Sequence, residues 1–207
     1  MAPKPRWKVL AHRRLQTYPS DLTRDALLDS PLPAWLEEPI VSRLLSIPIQ
    51  TRDGASNIFS NSPHLAPNHV LINEYLPGQG IMPHRDGAAY YPVVCTVSLG
   101  ASLCLDIYGN HEDGVREKEP RWRILQEPRS LLITTGDLYA DYLHGIADTT
   151  RDENLTPTTI ANWSLLSCPE NVQNCTNERK LRTSLTYRDV LKVSKLGSKF
   201  GSLFGTK

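Results

Sequence analysis

A mainly β fold, a sandwich or jelly roll with one flanking helix, is what this sequence predicts. Three observations carry it. Six short runs rich in β-branched and aromatic residues follow one another between residues 69 and 190, each bounded by Gly, Pro, Asn or a cluster of charges. Only one stretch of the chain repeats apolar residues convincingly at helical spacing. Finally, 207 residues of which 40% are apolar can bury one full core, so a single domain with extensions is the expectation.

The first stretch, PKPRWKVLAHRRLQTYP from Pro3, is basic and aromatic and has no strong period, so it reads as an irregular segment or a short hairpin with a positive face. In SPLPAWLEEPIVSRLLSI, residues Leu32, Trp35, Leu36, Ile40, Leu44 and Leu45 fall near one helical face, and Pro39 should kink or divide that helix. Residues 51–67, polar and rich in Asn, Ser and Pro, are expected as a surface loop. The period then changes to that of strands, over 69–76, 90–99, 102–108, 121–126, 129–139 and 182–190. Two polar insertions, 109–120 and 147–180, should be flexible surface loops. From Lys192 the tail spaces Lys195, Lys199 and Lys207 among glycines and serines, which reads as a fraying, solvated end or as a contact for an anionic partner.

Composition narrows the functional classes. Lysine and arginine number 23 against 22 acidic residues, so any nucleic-acid surface must come from local clustering rather than net charge. MAPKPRWKVL has no signal-type apolar run, and no run elsewhere approaches a membrane span, so a soluble intracellular protein is expected. In that setting the sequons at Asn154, Asn162 and Asn174 are chance. Cys95 and Cys104 lie in apolar runs and read as buried thiols. Cys168 and Cys175 could pair or supply half of a zinc site.

The chemistry concentrates in a few motifs. In IMPHRDG, His84 and Asp86 are two apart, and on a strand they would share a face. His144, in DYLHGI, is the best third ligand for a facial triad of two histidines and one carboxylate, an arrangement that leaves positions open on iron(II). An isolated H-x-D is common by chance, so a second constellation is needed. RTSLTYR supplies it, with Arg182 and Arg188 on one strand face beside Ser184 and Thr186, suited to a dicarboxylate or to a solvated face. In INEYLPGQG, Asn73 and Tyr75 share a face and offer an amide and a phenol to carboxylate oxygens.

Taken in order, N-x-Y, P-G-x-G, H-x-D, a distant His and R-x5-R resemble the AlkB-like iron(II) and 2-oxoglutarate-dependent dioxygenases, in particular the branch of the sixth animal homologue. The likeness runs from about Pro3 to Val190. The resemblance implies a double-stranded β-helix fold. It also implies that His84, Asp86 and His144 hold iron, that Arg182 and Tyr75 take the distal carboxylate of 2-oxoglutarate, and that Asn73 and Arg188 lie toward its chelating end. Ser184 stands where many relatives have an asparagine beside the cosubstrate. A strand and helix that precede the lid in relatives are expected to be missing. The division this suggests is a lid-like extension with one helix (1–67), a catalytic core (68–190) and a basic tail (191–207).

The implied reaction consumes oxygen and 2-oxoglutarate, yields succinate and carbon dioxide, and hydroxylates a C–H bond; on an N-methyl group the product loses formaldehyde. Arg6, Trp7, Arg13, Arg14 and Tyr18 resemble the lid through which relatives meet nucleic acid, and Tyr90 and Tyr91 could line the pocket mouth. DNA or RNA carrying an alkylated base is therefore the first substrate expectation, with a monomer placed in nucleus and cytoplasm and no membrane partner. A protein hydroxylase or demethylase, a non-catalytic nucleic-acid-binding module and a zinc hydrolase remain as alternatives, the last giving no reason for the paired arginines.

Overall fold

The computed structural model describes residues 7–49, 54, 57–109, 115–172 and 174–195. Arg6, His111, Lys199 and Lys207 lie outside the described residues. In chain order the elements are β1 (Lys8–Leu10), β2 (Arg13–Tyr18), β3 (Ala26–Leu28), α1 (Ala34–Glu37), α2 (Ile40–Ser46), β4 (His69–Tyr75), β5 (Ile81–His84), β6 (Tyr90–Gly100) and β7 (Leu103–Tyr108). There follow β8 (Trp122–Gln126), β9 (Leu131–Thr135), α3 (Asp137–Ala140), β10 (Leu143–Ile146), β11 (Arg151–Asp152), β12 (Asn177–Glu178), β13 (Arg182–Val190) and β14 (Lys192–Ser194). A six-stranded sheet runs β1-β2-β4-β13-β6-β9 and a four-stranded sheet β5-β10-β7-β8, the jelly roll that the β-rich runs predict, in the double-stranded β-helix form that the resemblance implies. Among the described residues no helix is long and apolar enough to cross a membrane.

Two compact units divide the chain. The first takes the described residues of 1–16, 71–86 and 92–186. Its basic N-terminal stretch is a hairpin, β1 against β2, with Val9 opposite Arg14. Its core gathers Tyr75, Leu103, Leu105, Ile107 and Ile146, because alternate residues of β7 face one way and are all apolar. Cys104 points the other way, into a second cluster with Leu125, Leu155 and Ile160. Residues 155 and 160 belong to the polar stretch 147–180, which is therefore no flexible loop. It is pinned by β11 against β12 and by a buried ion pair in which Arg179 donates from Nε and Nη2 to Asp152 Oδ1 at 3.1 and 2.6 Å. Arg179 Nη1 also donates to the carbonyl of Ala147, directly after β10. Charge here organises the segment from inside, where composition alone suggests solvation.

The second unit takes the described residues of 17–70, 87–91 and 187–207. Pro39 does divide the predicted helix, into α1 and α2. Leu36, Val41 and Leu44 are its buried face, whereas Trp35 is 52% exposed, because the break at Pro39 changes the helical phase. Trp35 instead meets Tyr18 edge-on, ring centroids 5.3 Å apart. The stretch expected as a surface loop buries Ile58 and, completely, Phe59. Tyr187, fully buried, donates its hydroxyl to the Leu36 carbonyl at 2.8 Å. Nor is the start of the tail a fraying end: Lys192–Ser194 pairs in parallel with β3. Cys95 and Cys104 are buried, and all four cysteines are free thiols, so Cys168 and Cys175 form no disulfide.

Candidate active site

Everything at the H-x-D motif depends on how β5 is held. Gly78, at φ +82°, turns the chain out of β4. Gly80 then passes so close to β10 that an added Cβ would lie 2.1 Å from the Ile146 carbonyl oxygen. The P-G-x-G spacing thus lets β5 pair with β10, where His84 is the partner of His144 and the two rings lie 4.5 Å apart.

Asp86 lies two residues beyond β5, outside the strand, so strand alternation is not what aims it. Its side chain is nonetheless 5% exposed, with Oδ2 3.8 Å from His144 Nε2. Two donors with bonds of about 2.1 Å to one metal can stand at most about 4.2 Å apart, so this spacing suits a shared ion. His84 Nδ1 lies 2.9 Å from the Met82 carbonyl, which can only accept; Nδ1 therefore carries the hydrogen and Nε2 keeps its lone pair for a metal. Among the described residues no three His, Cys, Asp or Glu side chains are drawn into a complete cage, and the trio's convergence is pairwise.

The second constellation belongs to β13. Arg182 is 2% exposed, and Ser184, Thr186 and Arg188 are buried as well, which removes the solvated-face alternative. The Arg182 guanidinium donates from Nε to Ser98 Oγ at 2.9 Å and from Nη2 to Gln126 Oε1 at 2.5 Å. Both partners are neutral, so the hydrogen bonds orient the charge without cancelling it. Burial pulls this guanidinium down to about 10, and its Cζ lies 5.8 Å from the Tyr75 ring centre. Ser98 and Gln126 carry no motif; their role is visible only through strand pairing.

Asn73 is 7% exposed and accepts at Oδ1 from Arg13 Nε, 3.2 Å away. Arg14 pairs with Glu74 at 2.5 Å and lies over Trp7, its Cζ 4.3 Å from the ring centre. The basic hairpin thus spends part of its charge within the fold. His12 pairs with Asp148 at 3.0 Å. In the second unit Arg188 stacks on Tyr90, Cζ 4.6 Å from the ring centre, and Tyr90 lies 6.2 Å from His69. Burial first, then the charge of Arg188, pushes the His69 imidazole down to about 4. Tyr91 is half-buried. His64 Nδ1 lies 2.6 Å from Asp189 Oδ1.

Residues 22–188 match the family model described as "2OG-Fe(II) oxygenase superfamily". The chain belongs to that superfamily. As an oxygenase of this kind it is an enzyme that uses iron(II), 2-oxoglutarate and oxygen. It is 36% identical over 198 residues to "Probable RNA/DNA demethylase ALKBH6" of Danio rerio, covering 93% of this chain and 77% of the relative. It is 28% identical over 195 residues to the uncharacterized protein L905 of Acanthamoeba polyphaga mimivirus, covering 90% and 74%. The solved structure of OsALKBH1 is 18% identical with a TM-score of 0.48, over 86% of this chain and 78% of that one. Its likeness to the Danio rerio relative makes the oxygenase AlkB-like, as its motif order implies.

Proposed function

We propose that this oxygenase removes alkyl groups from nucleic acid, with His84, Asp86 and His144 holding iron(II) and Arg182 anchoring the distal carboxylate of 2-oxoglutarate. The observation that carries the reading is the pairing of His84 with His144 within reach of Asp86, in the unit that also buries Arg182. When bound, the iron centre supplies the oxidation that turns a C–H bond into C–OH, with succinate and carbon dioxide as coproducts. What the chain contributes is placement. The Met82 carbonyl fixes the His84 tautomer, so its Nε2 would be the atom that donates to the ion. Ser98 and Gln126 aim Arg182 so that a carboxylate meets an oriented, desolvated guanidinium. Tyr75 would offer the same carboxylate its hydroxyl, Asn73 would serve the chelating end and Ser184 would line the cosubstrate; Arg188, in the second unit, is a further candidate toward the chelating end.

The nucleic-acid half of the reading is supported by the RNA/DNA demethylase name of the Danio rerio relative and by the basic, aromatic β1/β2 hairpin bearing Trp7, Arg13 and Arg14. Trp7, Arg13 and Arg14 are the proposed substrate contacts of the first unit, and Tyr18, Tyr90 and Tyr91 those of the second; nucleus and cytoplasm are where such a substrate would be met. The test is succinate and formaldehyde formation with iron(II), ascorbate and oxygen, on N-methylated oligonucleotides, for the parent chain, His84→Ala and Arg182→Ala. Iron-dependent formaldehyde release, lost in both variants, is the expected result; succinate without stimulation by any oligonucleotide would reject the substrate class while keeping the cosubstrate site.

A further inference from the structure

The register of the four-stranded sheet extends the site beyond its metal ligands. His84 is opposite His144, His144 opposite Ile107, and Ile107 opposite Trp122. Directly paired residues of antiparallel strands project from the same face. Trp122 therefore shares the face of the two imidazoles, two strand spacings or about 10 Å from His144. The packing agrees: Ile124, two residues on, and Tyr142, two before His144, both pack on the cluster that contains Ile107. The Trp122 and Tyr142 rings lie 5.1 Å apart.

Burial along this row is uneven. Ile107 is 5% exposed, a floor residue, whereas Trp122, on the edge strand β8, is 40% exposed. Cations flank the ring pair. Arg121 Cζ lies 5.9 Å from the Trp122 ring centre and 5.5 Å from that of Tyr142, and its Nη1 donates to the Tyr142 hydroxyl at 3.1 Å. Glu117 pairs with the same guanidinium and fixes it over the rings. Arg85, between His84 and Asp86, donates to the Asp141 carbonyl at 3.1 Å, one residue before Tyr142. A half-exposed indole with the Arg121 guanidinium over it, on the sheet face that carries the metal candidates, has the makings of a strand-binding step.

We propose that Trp122, flanked by Tyr142, is a stacking platform for an unpaired base of a single strand, one or two nucleotides from the base presented to His84 and His144. The inference rests on the nucleic-acid reading above and names a contact beyond the N-terminal hairpin. An indole accepts the flat face of any base, and Arg121, held over the rings by Glu117, keeps the ring pair in place. The platform grips the strand without reading its sequence.

The test compares Trp122→Leu, which keeps apolar bulk but has no π face, with Trp122→Phe, which keeps a ring. Fluorescence anisotropy of the full chain with iron(II) and 2-oxoglutarate, without oxygen, reads binding of a labelled five-nucleotide strand with a central N-methylated base and of the single methylated nucleotide. The parent is expected to favour the longer strand. Trp122→Leu should lose about tenfold of the affinity for it and little for the single nucleotide, and Trp122→Phe should retain most. Equal binding of the longer strand by Trp122→Leu and the parent overturns the platform alone. So does an equal loss in both variants, because the ring is then not what matters. A folded parent that binds neither length overturns the nucleic-acid reading and the platform with it.

Discussion

His144 stands opposite His84 across β5 and β10, the two rings 4.5 Å apart, and Asp86 reaches His144 from a loop rather than from a strand. The pair exists because Gly80 lets two backbones approach to a distance that a methyl group forbids. Gly80→Ala is therefore expected to destabilise the protein by about 1–3 kcal/mol through overpacking. It should also weaken iron(II) binding, since β5 must shift from β10. Urea unfolding and anaerobic iron titration check the two effects separately.

Gln126 decides whether Arg182 keeps its charge available. Gln126→Glu is nearly isosteric but places a carboxylate on the guanidinium, which an incoming dicarboxylate must then displace. The KM for 2-oxoglutarate should rise about tenfold or more with a smaller change in kcat, since charge-assisted hydrogen bonds contribute about 1.5–3 kcal/mol. Steady-state succinate assays over a range of 2-oxoglutarate measure it, and an unchanged KM would remove Arg182 from the anchor.

The Arg179–Asp152 pair, its side chains 3% and 1% exposed, closes the segment that follows β10. Asp152→Ala leaves a buried, uncompensated guanidinium and should cost about 3–5 kcal/mol, whereas replacing both residues by leucine should recover much of that loss. Chemical denaturation of the single and double variants distinguishes the ion pair from simple packing.

Stability should fall in mild acid because of His69. Its imidazole is pushed down to about 4 in the folded protein, against about 6.5 for an unfolded chain. Between those values the unfolded state binds a proton that the native state refuses. The contribution is thus fully present above about pH 6.5 and is lost as pH falls through 4, by up to about 3 kcal/mol. His69→Phe should flatten the pH dependence of the unfolding free energy over that window.

The β-rich runs of β4, β6, β7, β8 and β13 were legible because β-branched and aromatic enrichment between Gly, Pro, Asn and charge clusters is written in neighbouring residues, and so was the division of the helix at Pro39. Phe59 and the 147–180 segment were not, since polar composition hides a single anchoring ring or a buried ion pair. Within the candidate site, the motif order marked His84, Asp86, His144 and Arg182, because each motif is a local pattern. Ser98, Gln126, the Gly80 approach to Ile146 and the row from His84 to Trp122 were decided by the tertiary structure alone. The physical reason is one of range: side-chain alternation follows from the backbone of a single strand, whereas cross-strand register is fixed by hydrogen bonds between residues far apart in the chain.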